Sequence, residues 1–284
     1  MTRWVAETLH PHFQCQLLAD RVIYENRTEH QHLVIFDNAT FGRVMMLDGV
    51  VQLTTRDEFI YHEMMAHVPL FALGAERPRK ILIVGGGDGG VMREVLKHKG
   101  VERVVLCEID KTVIELSREH LADISQGAFD DPRVEAVIAD GVKYVAETDE
   151  RFDAVIVDST EPVGPAAVLF TPAFFEGCAR CLNSSGILVT QNGLPFLHPD
   201  HLKSTMTLFA EIFPDFATYL CDQPTYFGGP FALAWASNDS ALRSIPEKLL
   251  AERFAAAGIG TRYYTPELHK SSFVLPRYIQ DLIC

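Results

Sequence analysis

The chain has 284 residues, 48% of them hydrophobic, and a formal net charge of −13 at pH 7. This is the composition of a globular protein, and so acidic a surface repels phosphate backbones, which argues against nucleic acid and for amines or polycations as partners. No apolar run reaches the ~18 residues that span a bilayer, and the start, Met1-Thr2-Arg3-Trp4-Val5-Ala6-Glu7, has no apolar stretch followed by a cleavage site, so a cytoplasmic protein without membrane contact is expected.

Residues 1–56 read as a small β-domain, with strands at 33–36, 44–47 and 50–53, the last two joined by Asp48-Gly49, a strong two-residue hairpin signal. Residues 57–68 turn helical through Phe59, Ile60, Met64 and Val68. From 81 onward the pattern alternates. Strands are expected at 81–84, 103–109, 134–138, 153–158, 186–191, 216–221 and 230–236, and helices at 90–98, 111–121, 141–147, 171–182 and 198–212. Such alternation predicts a doubly wound α/β domain over 57–284, with a mostly parallel sheet and helices on both faces. The last two strands lie close in sequence, which suggests an antiparallel end. Residues 241–284 read as helices and loops covering one side.

The most informative stretch is Ile81-Leu82-Ile83-Val84-Gly85-Gly86-Gly87-Asp88-Gly89-Gly90. A buried strand runs into glycines and then a helix, the place where a doubly wound sheet brings its backbone against a ligand. Asp88 sits inside that loop. A carboxylate there is a poor neighbour for a pyrophosphate and a good one for a cation. Acids also end the next strands: Glu108 and Asp110, then Asp140 before Gly141, then Asp158. Each could be a helix N-cap, but ligands bind at these strand ends. Glu108 lies 18 residues past Gly90, near the ~20-residue offset of an acid that accepts from ribose hydroxyls. Asp140 is placed to accept from an adenine amine. With Asp88 beside them, S-adenosylmethionine-like thioether adenosines fit better than NAD. Asp158 and Glu161, in the loop Asp158-Ser159-Thr160-Glu161-Pro162-Val163-Gly164-Pro165, are three apart and expected to face one cavity.

Other chemistry-bearing residues read as structural. Cys178 and Cys181 share a helical face and are expected in the core. His62 and His67 are five apart, about 140° around a helix, so the zinc-protease arrangement is missing and no metal is expected. The pairs His10/His12 and His30/His32 would each share a face if they lay on strands; surface histidines are the favoured reading.

Together the chain resembles the polyamine aminopropyltransferases, in particular bacterial spermidine synthases. The matching pieces are Leu47-Asp48-Gly49-Val50-Val51-Gln52, Arg56-Asp57-Glu58-Phe59-Ile60-Tyr61-His62-Glu63-Met64, Gly85-Gly86-Gly87-Asp88-Gly89, Cys107-Glu108-Ile109-Asp110, Asp140-Gly141, the 158–165 loop and Pro224-Thr225-Tyr226. The resemblance implies a class I methyltransferase-like Rossmann sheet with a small N-terminal β-domain. It also implies transfer of aminopropyl from decarboxylated S-adenosylmethionine, a co-substrate rather than a cofactor, to a diamine such as putrescine. It implies Glu108, Asp140, Gly141, Gln31 and Pro165 around the nucleoside, and Asp88 on the donor's amine. Tyr61, Asp158 and Tyr226 would surround the attacking nitrogen, with His62 and Gln52 nearby and Asp158 as proton acceptor. Self-association as a homodimer through the β-domain is likewise implied. Glu161 departs from the family's usual aspartate, so an altered diamine preference is expected. The alternatives are an S-adenosylmethionine-dependent N-methyltransferase and a non-catalytic polyamine-binding protein; an NAD dehydrogenase is more distant.

Overall fold

A computed structural model describes residues 2–75, 79–162 and 164–283. Strands β1 (Arg3–Ala6) and β2 (Gln16–Ala19) pair antiparallel, and β3 (Arg21–Arg27), β4 (His32–Asn38), β5 (Gly42–Leu47) and β6 (Val50–Thr54) form an antiparallel meander. Asp48 and Gly49 make the β5–β6 turn with φ of 47° and 80°, the positive values that match the strands' right-handed twist. Neither histidine pair sits together on one strand face. His10 and His12 fall between β1 and β2, and His30 sits in the turn before His32 opens β4. The shared-face geometry therefore does not arise, because the backbone has left the pleat.

The chain then enters α1 (Glu58–Leu73), longer than the 57–68 expected. Strands β7 (Arg79–Gly85), β8 (Val101–Glu108), β9 (Val134–Ile138), β10 (Phe152–Asp158), β11 (Leu182–Gln191), β12 (Asp215–Cys221) and β13 (Phe231–Ser237) form one sheet in the order β12-β13-β11-β10-β7-β8-β9. Between them run α2 (Gly90–Leu96), α3 (Lys111–His120), α4 (Ala122–Ser125), α5 (Gly141–Glu147), α6 (Pro172–Cys181) and α7 (Pro199–Ile212), with α8 (Glu247–Ala257), α9 (Pro266–Ser272) and α10 (Arg277–Ile283) at the end. The strand expectations hold to within a few residues. The expected antiparallel end is present: β12 at the edge pairs antiparallel with β13, and β13 also runs against β11.

The apolar run of β7 is explained by burial on both faces. Ile81 and Ile83 join the core under α1, while Leu82 and Val84 join the opposite core with Val145, Phe174, Cys178 and Cys181. Cys178 and Cys181 are thus core residues, as their helical spacing predicts. The meander is two-faced in the same way. Val34, Phe36, Val44 and Met46 cover Leu17 and Ala19 of β2, while Leu33, Ile35, Met45 and Leu47 cover Val113, Leu116, Leu121 and Ile124 of the α3–α4 region. This second contact holds the meander over the sheet's carboxyl edge. The winding reverses between β7 and its neighbours β8 and β10, and a cleft forms at such a reversal. Among the described residues, no helix is long and apolar enough to cross a membrane.

Candidate active site

A cavity of about 420 Å³ opens at that reversal, between the carboxyl ends of β7, β8 and β10 below and the β-meander above. Among its described lining residues are six carboxylates (Asp48, Asp88, Glu108, Asp140, Asp158 and Glu161) and no lysine or arginine. The cavity is built for positive charge. Gln31, Gln52, Tyr61, His62, Gly141 and Tyr226 also line it. Every expected site residue is therefore brought to one place except Pro165, whose side chain lies outside the described residues.

Glycines let backbone and side chains close in. Gly85 has φ of 80°, and a Cβ there would lie 2.1 Å from the Asp158 carbonyl oxygen; the Gly86 N–H donates to that same carbonyl at 2.8 Å. A Cβ on Gly90 would lie 2.1 Å from Cε1 of His62. The loop thus ties β7 to β10 and lets α2 pack flush against the imidazole.

At the centre, the Tyr61 hydroxyl donates to Asp158 Oδ1 at 2.8 Å, while Asp158 Oδ2 is buried with no hydrogen-bond partner among the described residues. Burial first and the charge of Asp88 second push the Asp158 pKa up to about 7. Burial and Asp158 together push Tyr61 well up, so its hydroxyl stays protonated and donates. Asp88 Oδ1 accepts from the Gly90 N–H at 2.7 Å and lies 3.4 Å from His62 Nε2. His62 Nδ1 lies 2.5 Å from Glu58 Oε2. Burial opposes charge on this imidazole, but Asp88, Glu58 and Asp158 outweigh it and raise its pKa to about 9.

The acids at the other end are fixed by local structure. Burial, helped by Asp110, raises Glu108 to about 7 against the lowering effect of a bond from the Asp110 N–H to Oε1 at 2.8 Å. Asp110 caps α3 and takes Oδ2 bonds from Thr28 at 2.8 Å and Gln31 at 3.0 Å, so Gln31 crosses from the meander to the sheet. Asp140 caps α5 by accepting from the Val142 N–H at 2.8 Å. The capping role weighed against a ligand role is real here, and one carboxylate both caps and lines the cavity. Gly141 permits close packing, since a Cβ would lie 2.5 Å from Val84.

On the acceptor side, Asp158 and Glu161 do face one cavity, and burial raises Glu161 to about 7. The Tyr226 hydroxyl donates to the Gln52 carbonyl, so the two expected residues touch through a backbone group. Asp57 holds that arrangement by accepting from Thr54 Oγ1 at 2.5 Å and from the Thr225 N–H and hydroxyl at 2.9 and 2.7 Å. Sequence reasoning missed Gln191, which lines the cavity and donates to the Thr160 carbonyl at 3.0 Å. It ends β11, so the strand-end rule would have found it had the rule not been applied to acids alone. Also missed were Thr8 and Leu9, which reach the cavity from the β1–β2 connection, and Glu58 and Arg93 behind His62.

His62, Asp88 and Asp158 present donor atoms within 4.8 Å of one another, close enough for a cation to bridge. Both ring nitrogens of His62 face carboxylate oxygens, and the raised pKa of the imidazole favours its doubly protonated form, which has no lone pair to offer a metal.

The fold and site define a class: a methyltransferase-like Rossmann protein with a carboxylate-lined cleft at its strand ends. Residues 58–245 match the spermine/spermidine synthase domain, and residues 3–55 match the spermidine synthase tetramerisation domain. The chain is 52% identical to a polyamine aminopropyltransferase of a Ruegeria species over 98% of each chain. It is 51% identical to polyamine aminopropyltransferase 1 of Pseudomonas aeruginosa over 98% of this chain and 96% of that one. Among solved structures, a spermidine synthase in complex with the transition-state analogue AdoDATO superposes with a TM-score of 0.93 at 37% identity, covering 100% of this chain and 96% of that one. The spermidine synthase of Thermotoga maritima gives 0.89 at 36%, covering 100% and 95%. The chain belongs to the spermine/spermidine synthase family, and it is an aminopropyltransferase.

Proposed function

We propose that the cavity seats decarboxylated S-adenosylmethionine and putrescine side by side and yields spermidine and methylthioadenosine. Glu108 accepts from the ribose hydroxyls, Asp140 and Gly141 lie by the adenine, Gln31 and Pro165 also line the nucleoside site, and Asp88 holds the donor's amine. Tyr61, Tyr226, His62 and Gln52 surround the attacking nitrogen of the acceptor, and Glu161 takes the diamine's charge. An alkylamine has a pKa near ~10, so at neutral pH it arrives as an ammonium without a lone pair. Asp158 takes the proton. The freed nitrogen lone pair attacks the methylene carbon on the sulfonium, the C–S bond breaks, and its electrons return to sulfur to leave a neutral thioether. The sulfonium is already a good leaving group, so positioning supplies much of the rate.

One observation carries this reading: a buried carboxylate oxygen of Asp158 that has no hydrogen-bond partner among the described residues, close to the carboxylate of Asp88. Incubation of the protein with donor and putrescine, followed by mass spectrometry, is the test. Spermidine with methylthioadenosine supports it; S-adenosylhomocysteine formed from intact S-adenosylmethionine would instead place the chain among methyltransferases.

The proposal extends to organisation. Residues 1–56 act as a β-domain and 57–284 as the catalytic domain, and the chain works in the cytoplasm as a homodimer associated through the β-domain. The match of residues 3–55 to a model named for tetramerisation supports self-association. Sedimentation velocity separates dimer from tetramer from monomer.

A further inference from the structure

Behind the cavity lies a buried chain of opposite charges that the proposed reaction does not use. Arg93 Nη2 lies 2.9 Å from Glu58 Oε2 and Nη1 lies 3.2 Å from Glu58 Oε1. The same guanidinium donates to the Ile124 carbonyl at 2.6 Å and to Glu94 at 2.7 Å, so each of its three nitrogens is held in a fixed direction. Glu58 then meets His62 Nδ1 at 2.5 Å, and His62 Nε2 meets Asp88 Oδ1 at 3.4 Å. Glu58, His62, Arg93 and Glu94 are all at most 7% exposed. The imidazole packs against the bare Cα of Gly90.

Two acids close together do not readily both ionise. Asp88 and Asp158 reach within 4.8 Å of each other and of His62, and the proposed chemistry needs both charged, one to hold an amine and one to accept a proton. The groups that face His62 are Glu58 and Tyr61 on its own helix, Asp88 on the glycine loop and Asp158 at the end of β10; Arg93 reaches it only through Glu58. We propose that Glu58 and Arg93 are positioning residues that hold His62 as an imidazolium, the counter-charge that lets Asp88 and Asp158 carry their negative charges together. Arg93 keeps Glu58 anionic, Glu58 keeps the proton on Nδ1, and the second proton, on Nε2, faces the two acids. This role rests on Asp158 as the proton acceptor.

The direct test is the pH dependence of kcat/KM for the amine acceptor in Glu58→Gln, with the His62 imidazole followed by NMR in the free protein. The amide keeps the shape and can still accept from Nδ1, but it lacks the charge. The His62 titration should move down from about 9, and the acid limb of kcat/KM should move up by about one pH unit. Activity then falls about fivefold at pH 7 and approaches tenfold below it, because one unit is a factor of ten in proton affinity, and returns to within about threefold of the parent at pH 9.5. A residue that only supports the fold would lower the whole profile without moving its limb. Arg93→Lys keeps a positive charge but loses the two-pronged grip, and it should move both readouts in the same direction by less; it decides the matter if Glu58→Gln does not fold. An unmoved His62 titration, or an unmoved acid limb, overturns the proposal. Full activity of Asp158→Asn would instead overturn the reading on which it rests, and the NMR result would stand apart from that.

Discussion

Asp158→Asn tests the chemistry most sharply. The substitution preserves shape, and an amide oxygen can still accept from Tyr61, which now holds Oδ1 at 2.8 Å. What changes is Oδ2, the buried oxygen without a hydrogen-bond partner among the described residues: an amide NH₂ replaces it and points two donors where a proton must be accepted. An amine of pKa ~10 is about 1% neutral at pH 8. An enzyme without its acceptor must recruit that fraction, so the loss in kcat has a floor near 10²-fold. General-base removal reaches 10⁴-fold at the upper end, a range of about 3–5 kcal/mol in activation free energy. Methylthioadenosine release under saturating donor and putrescine gives kcat directly. Stability provides the control. A carboxyl whose folded pKa is raised makes its contribution at low pH and loses it as pH climbs to about 7. Removing it should leave the melting temperature at pH 8 equal to or above the parent's, with the gap closing toward pH 4. A variant that retains well above about 1% of parental kcat would refute the assignment, and a variant that melts early would refute the burial argument.

The same carboxyls set a pH profile. Asp158, Glu108 and Glu161 all have pKa values raised to about 7, chiefly by burial, so kcat/KM should rise with pH through about 7 and level above it, while stability falls over the window from about 4 to about 7; an acid limb at the ordinary carboxylate pKa near ~4 would contradict this. Gly90→Ala should abolish most activity and lower the melting temperature, because a Cβ 2.1 Å from the His62 ring forces the imidazole aside. Overpacking of this kind costs about 1–3 kcal/mol, and calorimetry that finds no change would show that the contact yields freely. Glu161→Asp shortens the carboxylate by one methylene, and kinetics on three-, four- and five-carbon diamines should shift preference between chain lengths; identical preferences would remove Glu161 from acceptor selection.

The elements that sequence exposed best were those with local signals. The β7 run with its glycines, the Asp48-Gly49 turn and the acids at the strand ends each carry meaning within a few residues, and they located the cavity. What stayed hidden depends on distant partners. The α1 pattern reads as an ordinary amphipathic helix, yet the helix is buried almost all round, with Glu58, His62, Glu63 and His67 inside. Each has a partner from elsewhere: Glu63, for example, takes the N–H groups of Arg262, Tyr263 and Tyr264, all at 2.8 Å. Arg93 looks like a solvated helix residue in Val91-Met92-Arg93-Glu94-Val95, and only the packing of α2 on α1 turns it inward. Nearness in sequence predicts the antiparallel β12–β13 pair at the sheet's end, but that β13 rather than β12 lies against β11 is decided by long-range contacts.

The central claim is that a cavity lined with acids selects a donor that has lost its carboxylate. Putrescine incubated with equal amounts of decarboxylated and intact S-adenosylmethionine, with every adenosine product quantified, measures this directly. The account predicts that the decarboxylated donor alone is consumed, with spermidine and methylthioadenosine appearing in equal amounts. Comparable consumption of the intact donor, or methylated putrescine among the products, would contradict it.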